Sequence, residues 1–213
     1  METTTMQISK SSIIILGVVI ILIVGLWYIF AQREYPKKYP TTGTAVIALG
    51  DSLVVGEGVL PGNDFVSILS ERLDVPIINA GRAGDTTAET LRRLETDVLA
   101  RDPRIVIILV GGNDAIRRIP KQETFSNLAK IIDKIQARGA AVLLVGIQSG
   151  FFRDNYKNDF YALSRKKGAW HVPDILDGIF GHGQLMQDTI HPNDKGYLII
   201  ADRIEPVLRN IIR

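Results

Sequence analysis

No cysteine occurs in the 213 residues of this chain. Disulfide staples, thiolate catalysis and cysteine-ligated metal are excluded, while the compartment stays open, because reducing and oxidising surroundings both tolerate such a chain. A surplus of one charge is missing as well. Lys and Arg number 25 against 23 Asp and Glu, a formal net charge of +2. The two signs are interspersed, with no basic stripe and no arginine-rich arm, so nothing in the pattern supports nucleic-acid binding. Internal repeats and low-complexity tracts are absent. Histidine is scarce: His171, His182 and His191 are the three in the chain.

One feature is present in excess. Ile13 to Ala31 forms an uncharged apolar run of about 19 residues, which as a helix covers roughly 28 Å, close to a bilayer's hydrocarbon core. Trp27 and Tyr28 lie near one end, where interfacial aromatics are expected. A removable signal peptide has a shorter apolar region and needs small residues before its cleavage point, whereas Ile29-Phe30-Ala31 presents bulk there. The expected organisation is therefore an N-terminal tail (1–12), a single-pass transmembrane anchor (13–31), a stiff linker containing Pro36 and Pro40 (32–43), and a domain (44–213). Lys10 before the span and Arg33, Lys37 and Lys38 after it lean weakly toward a cytoplasmic domain and leave the face of the membrane open.

From Thr44 onward apolar strands alternate with amphipathic helices. Strands are expected over 44–49, 75–80, 104–110 and 140–147, with a short fifth at 170–172. Helices are expected over 64–73, 86–100, 122–138, 159–167 and 193–213. This alternation implies right-handed crossovers, and hence a three-layer α/β/α sandwich around a mostly parallel five-stranded sheet.

Short polar segments interrupt the sheet at the carboxyl ends of its strands, the edge on which open α/β sheets place their chemistry. Gly50-Asp51-Ser52-Leu53 follows the first strand. Ser52 is a candidate nucleophile there, and the alternative is that Asp51 or Ser52 caps the next helix. A serine needs a base, and the base needs an orienting partner. Asp188-Thr189-Ile190-His191-Pro192 supplies a carboxylate three residues before an imidazole, although Asp188 or Asn193 is also placed to cap the last helix. His171 and His182 lack such a partner. Acyl transfer also needs donors for a developing oxyanion. Gly84 after the second strand and Asn113 after the third are suitable, each with an ordinary turn as the competing reading.

Taken together, Gly50-Asp51-Ser52-Leu53, Asn79-Ala80 with Gly84-Asp85-Thr86, Gly111-Gly112-Asn113-Asp114, and Asp188-x-x-His191-Pro192-Asn193 resemble the four blocks of the SGNH (GDSL) hydrolases. The wording is most similar to the bacterial thioesterase I/lysophospholipase/arylesterase branch. The resemblance covers Thr44 to about the C-terminus and implies a flavodoxin-like fold. It implies Ser52 as nucleophile, His191 as base and Asp188 as its orienting partner. The oxyanion hole would be the backbone N–H of Ser52, the N–H of Gly84 and the side chain of Asn113. Gly81 is a rival for Gly84, which the Gly-Asp-Thr alignment favours. Asp114 is expected to brace the active-site loops.

Two departures stand out: an anchor in place of the branch's cleavable signal, and a divergent loop at Ser149 to Arg153. Val54, Val55, Leu60, Ile116, Phe151 and Phe152 are candidates either for an apolar groove or for packing.

The implied function is a membrane-anchored serine esterase hydrolysing carboxylic esters or thioesters, of lipid, lysophospholipid or acyl-thioester type, through an acyl-enzyme. No cofactor or metal is expected. The expected partners are a small-molecule or lipid ester and the membrane, with the oligomeric state open. A carbohydrate or peptidoglycan O-acetylesterase is the alternative within the class, and a catalytically silent binding domain on a membrane stem is the alternative outside it.

Overall fold

The computed structural model describes residues 16–25, 42–148 and 156–213. By its contacts the chain divides into two units, Met1–Tyr35 and Pro36–Arg213. In the first, residues 16–25 form a helix, α1. Among the described residues no helix is long and apolar enough to cross a membrane. The rest of the expected 13–31 span lies outside them.

The second unit carries a five-stranded, all-parallel sheet of order β2-β1-β3-β4-β5. Its strands are β1 (Ala45–Gly50), β2 (Ile77–Gly81), β3 (Pro103–Leu109), β4 (Ala141–Val145) and β5 (Trp170–Val172). The helices are α2 (Ser52–Val55), α3 (Phe65–Leu73), α4 (Thr87–Asp97), α5 (Gly112–Ile116), α6 (Lys121–Ala137), α7 (Tyr156–Lys167) and α8 (Asp194–Ile212). The sequence reading missed the two short helices. Both α2 and α5 begin where a strand breaks, and each is too brief to show an apolar period.

Side chains alternate across a strand, so the central strands feed two separate cores. On one face Val46, Ala48, Ile105, Ile107 and Leu143 pack with Phe65 and Leu69 of α3 and Tyr197, Ile200 and Ile204 of α8. On the other, Ile47, Leu49, Val106, Ile108 and Leu144 pack with Leu94 of α4, Leu128, Ile132 and Ile135 of α6, and Phe160 of α7. Strand β3 serves both cores, which is why residues 105–109 read as an unbroken apolar run. The helices begin where their caps predict. Asp64 accepts from the Val66 and Ser67 N–H groups at the start of α3, and Thr86 with Glu89 forms a capping box on α4.

All five strands point the same way, so the breaks after β1, β2 and β3 open on one edge. Register sets Gly50 of β1 beside Gly81 of β2 and Leu109 of β3. The segments carrying Ser52, Gly84 and Asn113 are thereby neighbours.

Candidate active site

Strand β1 delivers the chain to Asp51, which is the N-cap of α2 and accepts the Leu53 N–H at 3.1 Å. The capping role therefore falls to Asp51, and Ser52, the first residue of the turn, keeps its hydroxyl for another partner. That partner is His191. Its Nε2 lies 3.0 Å from Ser52 Oγ, and its Nδ1 lies 2.8 Å from Asp188 Oδ2.

The imidazole is held by a tight turn. Asp188 Oδ1 accepts the backbone N–H groups of Ile190 and His191, both at 2.7 Å, while Gln187 N–H donates to the His191 carbonyl at 2.8 Å. Asn193 closes the turn, accepting from Lys195 and Gly196 as the α8 cap and donating to the Gln184 carbonyl. Asp188 thus binds both the ring and the backbone of the residue it orients. These bonds, led by the one from the imidazole, draw its pKa down to about 2. A second carboxylate faces the same imidazole: Glu57 Oε2 is 3.2 Å from Nε2. Nothing in the sequence signals that contact, because Glu57 belongs to none of the polar breaks.

Across the site Gly84 and Asn113 are half-buried and rest on a layer of buried polar groups. Gly84 has φ of +79°, the left-handed backbone that a turn there requires, and its carbonyl accepts from Arg117 at 2.7 Å. Asn113 lies in the first turn of α5, and its side-chain amide donates to the Asp85 carbonyl at 3.0 Å. One of its two N–H groups thereby fixes the direction of the other. Asp114 is fully buried and accepts from the Thr87 N–H at 2.8 Å and from the hydroxyls of Thr87 and Thr124. It ties α5 to α4 and α6.

Arg93 is buried to 7 % exposure and pairs with Asp85. It also donates to the carbonyls of Gly50, at 2.9 Å, and Ala80, at 2.8 Å. It therefore clamps the chain immediately before Asp51-Ser52 to the end of β2. In sequence Arg93 is one of two adjacent arginines between Leu91 and Leu94, a pattern that reads as a solvated helix face, so its role was not legible there.

Asp51, Ser52, Gly112 and Asn113 line a hollow together with the apolar Leu53, Ile116, Ile147, Leu176, Phe180 and Ile190. Of the proposed groove residues Ile116 lines it. Val54 does not, because its side chain is fully buried in the α3–α8 core. Val55 and Leu60 are exposed, and Phe151 and Phe152 lie outside the described residues. Burial pushes the Asp51 carboxyl up to about 7, and the Leu53 N–H and nearby His191 only partly oppose this. His171 sits away from the site, its Nδ1 3.0 Å from the Leu144 carbonyl, and burial lowers its pKa.

Comparison with known proteins gives one consistent result. Residues 48–199 match the model of the GDSL-like Lipase/Acylhydrolase family. Esterase TesA of Pseudomonas aeruginosa is 29% identical over 178 residues, covering 78% of this chain and 89% of the relative. Thioesterase 1/protease 1/lysophospholipase L1 of Escherichia coli K12 is 28% identical over 175 residues, 78% of this chain and 84% of that protein. A crystal structure of TesA superposes with a TM-score of 0.74 at 30% identity, over 79% of this chain and 99% of that one. With the fold, the four sequence blocks and a family match spanning most of the domain in agreement, the chain belongs to the GDSL-like (SGNH) lipase/acylhydrolase family.

Proposed function

We propose that this chain is a membrane-anchored serine esterase that cleaves carboxylic esters or thioesters carrying an apolar acyl group, through an acyl-enzyme on Ser52. That it is an ester hydrolase of the SGNH type follows from its family and from relatives named esterase, thioesterase and arylesterase. The covalent mechanism, the acyl class and the anchor are our reading.

The observation that carries the mechanism is the Asp188–His191–Ser52 line, with steps of 2.8 and 3.0 Å, ending at a hollow lined largely by apolar side chains. Asp188, ionised at any physiological pH, holds the imidazole as the Nδ1–H tautomer and leaves Nε2 as the acceptor. Ser52 Oγ attacks the carbonyl carbon as its proton passes to His191 Nε2. The negative oxygen is received by the Ser52 backbone N–H, the Gly84 N–H and the Asn113 amide. His191 then returns the proton to the leaving alkoxide or thiolate, and the acyl group remains on Ser52. Water attacks in the second half, giving its proton to His191, and Ser52 leaves with that proton to release the acid. Every proton removed is returned, and the cycle calls on no group beyond the chain and water.

The apolar lining of the hollow supports an apolar acyl group over a polar one. The test is a series of p-nitrophenyl esters from acetate to decanoate, with Ser52→Ala as control. The expected profile peaks at butyrate or longer. A peak at acetate that falls steeply would overturn the acyl assignment in favour of O-acetyl substrates.

For the anchor, the support is that eight large apolar side chains of α1, Leu16 and Val18 to Val24, are exposed on ten helical residues. Recovery of the full chain in membranes after an alkaline carbonate wash is expected. Release into the wash would contradict the anchor.

A further inference from the structure

His191 Nε2 has two partners on opposite terms. Ser52 Oγ at 3.0 Å can donate to it, whereas Glu57 Oε2 at 3.2 Å can only accept from it. A carboxylate facing an unprotonated nitrogen is repelled, and the same carboxylate facing an N–H is bonded. The position of Glu57 is built into the fold. Its backbone N–H donates to the Ser52 carbonyl at 3.1 Å, and its own carbonyl accepts the Tyr197 hydroxyl of α8, also at 3.1 Å. At Gly58, φ is +96° and a Cβ would crowd the Pro192 carbonyl at 3.0 Å, so the turn lies directly against the His191 loop.

We propose that Glu57 is a positioning residue that competes with Ser52 for Nε2 of His191. It holds the imidazole while that nitrogen carries a proton from solvent and yields it to Ser52 when the proton leaves. Glu57 thereby raises the lower edge of the pH range in which the enzyme works. The inference rests on the reading of His191 as the base. In turnover Glu57 takes no proton. It pairs by charge with the imidazolium that Ser52 generates, and the proton still goes to the leaving group.

Among the described residues, the charged and titratable groups facing the ring are Asp188 from its own turn, Glu57 from the turn after α2, and Asp51 from the β1–α2 junction. Asp188 stays ionised well below the relevant range and contributes a constant field. Asp51 titrates within that range, so the measurement is repeated in an Asp51→Asn background.

The test uses the full chain in detergent. Nitrogen-15 imidazole spectra, with His191 assigned through His191→Gln, follow its titration in wild type and Glu57→Gln. The pH profile of kcat/KM is measured on p-nitrophenyl butyrate. Loss of one partly exposed charge should lower both the imidazole midpoint and the acid limb by about half to one pH unit. The alkaline plateau falls about two- to threefold as the base weakens, so below the limb activity is held or rises, by up to about fivefold. Glu57→Asp, whose carboxylate is one methylene short, should fall between the two. An unmoved midpoint and limb, or a uniform loss at all pH values, would overturn the proposal. A displaced midpoint in a chain that hydrolyses no ester would keep the Glu57–His191 pair and overturn the esterase reading instead.

Discussion

The two walls of the site are built to different standards of burial. On one side His191 is held by Asp188, whose side chain is 53% exposed, and faced by Glu57, which is 42% exposed. On the other, Asp85, Arg93, Thr87 and Asp114 are all under a tenth exposed and hydrogen-bonded to one another or to strand-end carbonyls. The difference fits what each wall would do in the proposed mechanism. A proton relay needs two short contacts and tolerates water, because the imidazole is steered by a local turn. Oxyanion donors must stand ready before the charge forms, and a backbone N–H can be aimed only by fixing the backbone. The buried wall is therefore where the fold concentrates its polar bonds, and the relay wall is where it leaves room for proton exchange.

Substitutions on each wall sharpen this contrast. Ser52→Ala removes the proposed nucleophile and should lower kcat by about 10⁴–10⁶-fold with the thermal transition unchanged or raised. On the relay wall, Asp188→Asn should cost about 10⁴-fold in kcat by permitting the wrong tautomer, with little change in stability. Across the site, Asn113→Ala should cost about 10²–10³-fold in kcat and leave KM nearly unchanged, since the donor acts on the transition state.

Arg93→Met strips a buried carboxylate and two strand-end carbonyls of their partner. It should destabilise the domain by about 3–5 kcal/mol in urea unfolding. An Arg93→Met domain as stable as wild type would erase the distinction between the walls.

The smallest effect concerns Asp51. Its folded pKa, about 7, stands above the ordinary value of 3.8, so the folded state binds the proton more tightly. Stability from this group is complete below about pH 4 and is lost as pH rises through 7. Asp51→Asn, which keeps the acceptor for Leu53 N–H, should therefore raise the Tm by about 5–10 °C more at pH 8 than at pH 5.

On each wall the sequence made some residues legible (Asp188 and His191 on one, Gly84, Asn113 and Asp114 on the other) and hid one, Glu57 and Arg93 respectively, for a physical reason. Asp188 and His191 are three residues apart, and a turn brings such residues together whatever the rest of the chain does. Ser52, Gly84 and Asn113 were expected to be neighbours because parallel strands share an edge, and the register brings their segments together. Arg93, by contrast, meets Gly50 from 43 residues away and Asp85 from eight. Only the packing of α4 on the sheet creates those contacts. Glu57 was missed for the same reason, since its carboxylate reaches His191 through the seating of one turn against another. Element boundaries held to within a few residues wherever a cap or glycine marked them. Asp64, Thr86 and Asn193 all occupy the cap positions that their side chains favour.

The most direct test of the account is covalent labelling of the full chain with a fluorophosphonate, beside Ser52→Ala and His191→Ala. The reagent reacts with a serine whose proton a base is poised to take, and it requires no knowledge of the natural ester. The account predicts one adduct, located at Ser52 by peptide mass and lost in both variants. A folded wild-type chain that takes up no label, or one labelled equally in His191→Ala, would contradict it.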